Sequence, residues 1–170
     1  MNKKIKALIK VVLIGLVGLL VLDFLVGLFS SVTGVKSVTM RMNDHAAERV
    51  ADHIAETPMP EGCEVVEKIA LAGNIDSAGK LPFHYGAVLI KTDLSMEELE
   101  EHFRKYPYQG YIYEVEKQET QQLSEVHAAS KLDRDYLLTD VSDGNYYLVS
   151  SYGSGIGIFG LLYDPRCSIG

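Results

Sequence analysis

The chain has 170 residues, just under half of them apolar, and a net charge of −7. With a hydrophobic stretch near its start set aside, it is long enough for one domain of ordinary size, and its composition excludes low-complexity and wholly disordered classes. Residues 1–34 carry a balance of +3 and residues 35–170 a balance of −10, which excludes nucleic acid as a partner, because affinity for phosphate backbones rests on cationic neutralisation.

Lys3, Lys4, Lys6 and Lys10 precede residues 11–29, in which every residue but Asp23 is Val, Leu, Ile, Phe or Gly. As a helix rising about 1.5 Å per residue this stretch spans roughly 28 Å, close to the hydrocarbon thickness of about 30 Å. The lipid bilayer is therefore the first expected partner, through residues 11–29. The excess of Lys before the apolar run places residues 1–10 in the cytoplasm as a short tail and sends the remainder across the cell membrane in a single pass. Asp23 opposes insertion by about 2.5–3.5 kcal/mol, which the apolar residues around it outweigh. Sliding the span to residues 5–22 would bring Asp23 to the far interface. An interfacial residue is the preferred reading of Asp23, ahead of a polar contact with a partner helix. Gly15, Gly18 and Gly27 do not form the G-x-x-x-G spacing of a dimerising helix.

The alternative is a secreted or envelope ligand-binding protein with a signal peptide cut near Gly34. Residues 11–22 have the length of a signal core, but Val32-Thr33-Gly34 is a poor match to the small residues that cleavage prefers, and the apolar run continues past Asp23. An uncleaved signal anchor is the favoured expectation.

Residues 30–43 read as a mixed, short stalk. Asn43 or Asp44 offers an N-cap, and Ala46, Ala47, Val50, Ala51 and Ile54 recur at helical spacing until Pro58 and Pro60, predicting a helix over 44–56. A strand over 64–70 and a second over 83–92, separated by a turn cluster rich in Gly, Asn, Asp and Ser, predict an antiparallel hairpin with a long connection. Ser95 with Glu98 three residues on is a capping box, and Met96, Leu99 and Phe103 form the apolar stripe of the helix it opens. That helix stops before Tyr106-Pro107, and the alternation of Tyr111, Tyr113 and Val115 predicts a strand. Residues 117–130 are polar, a short helix or a loop. Residues 136–141 and 145–152 flank Ser142-Asp143-Gly144, a hairpin signal, and 156–163 supply a last strand. The expected fold is α+β: an N-terminal transmembrane helix, then one small, mostly antiparallel sheet domain over 44–170 with two helices and five or six strands.

No chemical signature accompanies this scaffold. Residues 155–160 match G-x-G-x-x-G, yet only ten residues follow, too few for the helix and acidic residue that a dinucleotide site requires; no nucleotide and no cofactor is expected. Cys63 and Cys167 form a candidate disulfide outside the cytoplasm, closing a loop of about 100 residues, against the alternative of two unpaired thiols. His45 and Glu48 lie one helical turn apart, but a metal site needs three or four convergent ligands, and solvated histidines are the better account. Neither a carboxylate pair in unlike environments nor a serine elbow stands out, so no catalytic residue is expected. The ten tyrosines remain. Tyr106, Tyr108, Tyr111, Tyr113 and Tyr146 are candidates for an interaction surface, because tyrosine joins apolar area to a polar tip; ordinary sheet packing is the competing account. The function expected is that of a single-pass membrane protein presenting an acidic extracytoplasmic domain that binds an envelope protein or a ligand and is not an enzyme.

Overall fold

The computed structural model describes residues 3–33, 35–73, 83–107, 112–123 and 136–154. Helix α1 (Lys3–Thr33) is unbroken. It satisfies its own backbone and leaves most of its Leu, Ile and Val side chains bare, with Val26 half-buried toward α2: Leu13 is 61% exposed, Ile14 71% and Leu19 65%. Apolar side chains all round a helix mark one made for an apolar surrounding, not one packed edge-on against a core.

Helix α2 (Val38–Glu56) begins within the segment expected to be a stalk, six residues ahead of the anticipated start. Ser37 is its N-cap, accepting from the Met40 amide at 3.2 Å. The buried stripe runs Met40, Asn43, Ala47, Val50, Ala51, Ile54, so the 3.6-residue period extends back through Asn43 to Met40. A polar residue within the stripe hid that continuation. His84 explains its presence: Nε2 lies 3.3 Å from the Asn43 Oδ1, satisfying two buried polar groups where helix meets sheet.

Strands β1 (Glu64–Gly73), β2 (Phe83–Lys91), β3 (Glu114–Gln118) and β4 (Tyr146–Ser154) form an antiparallel sheet in the order β1-β2-β4-β3. A turn closed by Cys63 N–H to the Pro60 carbonyl at 3.2 Å leads into β1, and Gly62 takes its positive φ of 82°. β1 pairs with β2 along its length, as expected, and residues 74–82 between them lie outside the described residues. Helix α3 (Met96–Phe103) connects β2 to β3, which run parallel with β4 inserted between them. The domain is therefore α+β, with α2 and α3 on one face.

Period-two alternation divides the buried residues between two faces. Val88 and Ile90 of β2 and Tyr147 and Val149 of β4 point toward Val50 and Ile54 of α2 and Leu99 and Phe103 of α3. Their neighbours Tyr85, Ala87, Leu89, Tyr146 and Leu148 point the other way, against Leu123, Leu137 and Val141. Full burial of each large side chain contributes about 1.5–3 kcal/mol. Among the described residues the second layer is made of irregular chain, and this corrects the expected meander over 136–152. Tyr136 makes only a single bridge to Gln122 rather than opening a strand over 136–141, and Asp143-Gly144 does not close a hairpin. Both edges of β4 are already occupied, by β2 and β3. The Glu67 carboxylate of β1 accepts instead from the amides of Leu138 (3.0 Å) and Thr139 (2.9 Å), so these donors need no ladder. The last expected strand, 156–163, lies outside the described residues.

Two positions test this packing. A Cβ on Gly86 would stand 2.4 Å from the Ala51 nitrogen and 2.6 Å from the Val50 Cβ, so α2 lies directly on β2 there. Gly86→Ala should destabilise the domain by about 1–3 kcal/mol through overpacking, read as a lower thermal midpoint. At α3 the capping box is complete: the Ser95 amide and hydroxyl each donate to the Glu98 carboxylate at 2.9 Å, and the Glu98 amide donates back at 3.3 Å. The Ser95 backbone amide first, then its hydroxyl, hold the Glu98 pKa below its ordinary value. A depressed folded pKa adds stability that is present above the unfolded carboxylate range and lost as pH falls through the folded value. Ser95→Ala should therefore lower the melting temperature by about 2–4 °C at neutral pH, and the gap to wild type should narrow in acid.

Candidate functional site

Asp23 lies in the most apolar part of the chain, yet its carboxylate has an assigned task. Oδ1 accepts from the Val38 amide at 2.5 Å and Oδ2 from the Thr39 hydroxyl at 2.7 Å. Val38 is the first residue of α2, whose opening amides have no partner within the helix and whose end carries a partial positive charge. The anion thus meets the end of a helix that attracts it. Neither sequence-level reading of Asp23, an interfacial residue or a contact to a partner helix, anticipates this intramolecular cap across 15 residues. Lys36, in the link between the helices, binds Asp44 in the second turn of α2 at 2.9 Å. Val35, Val38 and Met42 are exposed at this same end of the domain.

A groove of about 440 Å³ opens beside this joint, between the second half of α1 and the first turn of α2. Leu16, Leu19 and Leu20 form its floor, Val38 and Met42 its far wall, and Lys36 and Arg41 stand among its lining. No sequence motif announced it. The two walls meet where Asp23 binds the first turn of α2.

The tyrosines singled out from sequence are not brought together. Tyr113 and Tyr146 are each only 4% exposed and belong to the cores on opposite faces of the sheet. Tyr106 is half-buried beside Phe103 and Tyr113, while Tyr108 and Tyr111 lie outside the described residues. Tyr113 meets the Phe103 ring edge-on, with centroids 6.0 Å apart, and its hydroxyl is 3.4 Å from that of Thr57. The Tyr146 hydroxyl donates to Asp143, which also binds Lys91 Nζ at 3.0 Å, and the ammonium lies 5.2 Å from the Tyr146 ring centre. The Tyr146 hydroxyl, then Lys91, lower the Asp143 pKa; Asp143 in turn raises those of Tyr146 and Lys91. This triad fastens the Asp143-Gly144 turn to the end of β2, a structural task that sequence read as a hairpin.

Cys63 is half-buried at the edge of the helix-side core, and Cys167 lies outside the described residues, so the candidate disulfide does too. His45 Nδ1 sits 2.8 Å from Glu48 on the exposed face of α2, and His102 Nε2 is 2.6 Å from the Pro58 carbonyl. No three His, Cys, Asp or Glu side chains converge on a common point among the described residues. The residues 155–160 lie outside them.

Asp23→Leu should leave the Val38 amide and Thr39 hydroxyl without their acceptor. Loss of such a cap costs about 1–2 kcal/mol, so amide exchange at residues 38–40 should quicken roughly tenfold or more while the sheet stays protected. Unchanged exchange at Val38 would show that the carboxylate does not hold the helix. No known family model, curated protein or solved structure matches this chain.

Proposed function

We propose that the chain is a single-pass membrane protein, held by α1 with its lysine-flanked end in the cytoplasm, that presents an acidic α+β domain on the far side to bind a protein or ligand without catalysing a reaction. The observation that carries this reading is the junction. α1 is long and apolar enough to cross a bilayer, most of its large apolar side chains are exposed, and its one carboxylate is bound into the first turn of the domain. Capping α2 offsets part of the penalty for holding Asp23 at membrane depth, so the span need not slide to avoid it. Exposed Val35, Val38 and Met42 lie at the level where such a membrane would meet the domain.

The same contact favours an anchor over a cleaved signal. A chain cut near Gly34 would discard Asp23 and leave the Val38 amide to water. The positive balance before the span and the negative balance after it agree with a domain exported away from the cytoplasm. A binding role without catalysis is supported by how the polar side chains of the domain are engaged: Glu67 on two loop amides, Asp143 on Lys91 and Tyr146, His84 on Asn43, His102 on a carbonyl.

The full-length protein should stay with membranes through alkaline carbonate, keep residues 1–34 by intact mass, and lose its domain to protease added outside whole cells. A mature chain beginning near Val35 would replace the anchor with a secreted domain.

A further inference from the structure

The groove beside Asp23 combines two surfaces that suit different parts of one molecule. Its floor of Leu16, Leu19 and Leu20 belongs to the apolar helix. Leu16 lies seven residues before Asp23, about 10 Å along the helix axis. Lys36, on the link, and Arg41, on the first turn of α2 that binds Asp23, complete the charged lining of the groove. Of the charges lining the groove, the Asp23 carboxylate is turned to the α2 backbone and Thr39, and Lys36 is shared with Asp44, while Arg41 is exposed. The groove therefore joins an apolar surface along α1 to two cationic side chains beside the Asp23 joint. Its volume of about 440 Å³ lies within the range of sites that hold small organic ligands, about 300–1,000 Å³.

We propose that this groove is a binding site for one anionic phospholipid, an acyl chain lying along Leu16, Leu19 and Leu20 and the headgroup phosphate held at Arg41 and Lys36. The proposal rests on the reading of α1 as a membrane helix. In that setting the floor faces hydrocarbon and the mouth faces headgroups, the order in which a phospholipid presents its own parts. Arg suits phosphate through its planar fork of donors. The overall acidity of the domain does not oppose this, because the groove lining itself carries two cations and one carboxylate, and that carboxylate is engaged as a cap. A lipid seated here would fill the space between α1 and α2 and stiffen the joint that Asp23 makes.

The test uses the full chain, stripped of lipid in non-ionic detergent and titrated with phosphatidylglycerol or with phosphatidylcholine of the same acyl chains, read by native mass spectrometry. One phosphatidylglycerol should bind in preference to phosphatidylcholine by about fivefold, the worth of one cation near an anionic headgroup. Arg41→Gln, at the exposed mouth, should erase that preference. Leu20→Trp should fill the floor and abolish binding of both lipids, whereas Val21→Trp, at the same depth on the opposite side of α1, should bind as wild type. Equal binding by Leu20→Trp and Val21→Trp would overturn the site, as would an unaltered preference in Arg41→Gln. A dimer lost on Leu20→Trp, with no lipid bound, would assign the groove to a second copy and overturn the proposal. Carbonate extraction of the same variants keeps the outcomes separate: a protein that remains in membranes yet binds no lipid loses the site alone, and a protein released from membranes loses the anchor as well.

Discussion

A carboxylate in an apolar helix and the bare amide end of another helix are each unfavourable alone, and in this protein they meet. Asp23 takes the first amide of α2 and the hydroxyl of Thr39. The joint ties α1 to the first turn of α2, whose N-cap is Ser37, and α2 lies across the sheet, close enough at Gly86 to exclude a side chain. The orientation of the apolar helix is thereby linked to the centre of the domain through one short chain of contacts. A charged residue that looked like a defect in the span is the point from which the rest of the architecture hangs.

The sheet has a helical layer on one face and a layer of irregular chain on the other, and polar groups hold that irregular layer in place. Glu67 reaches from β1 to the amides of Leu138 and Thr139, and Gln121 reaches the Leu137 and Thr139 carbonyls at 3.4 and 3.2 Å. These bonds pair backbone groups of a segment that has no ladder partner there. Among the described residues, these polar side chains fasten loop to sheet.

Much of this was legible in local patterns. The apolar run with its basic flank, the capping box at Ser95, the β1 and β2 strands and the amphipathic stripe of α2 all arise from interactions within a few residues of one another, and each was read close to its observed position. The start of α2 was not, because the buried Asn43 interrupts the apolar stripe and its partner His84 lies 41 residues away; the added contacts of Asp23 to Val38 and Thr39 likewise cross 15 and 16 residues, where local spacing rules do not look. Asp143-Gly144 misled for a related reason. The dipeptide does form a turn, but whether the strand after a turn pairs with the strand before it depends on which edges are free, and β2 and β3 had filled both edges of β4.

The tyrosines mark the boundary most sharply. Their number and clustering are properties of the sequence, but Tyr113 and Tyr146 face opposite sides of one sheet and are buried in separate cores. Sequence alone settled the existence of a membrane-length helix, the α+β class and the local helix signals, since hydrophobic periodicity and capping act over short separations. The sheet order, the use of Asp23 as a cap, and the burial of the tyrosines were decided by the folded chain, because each depends on groups that meet only after distant segments have packed.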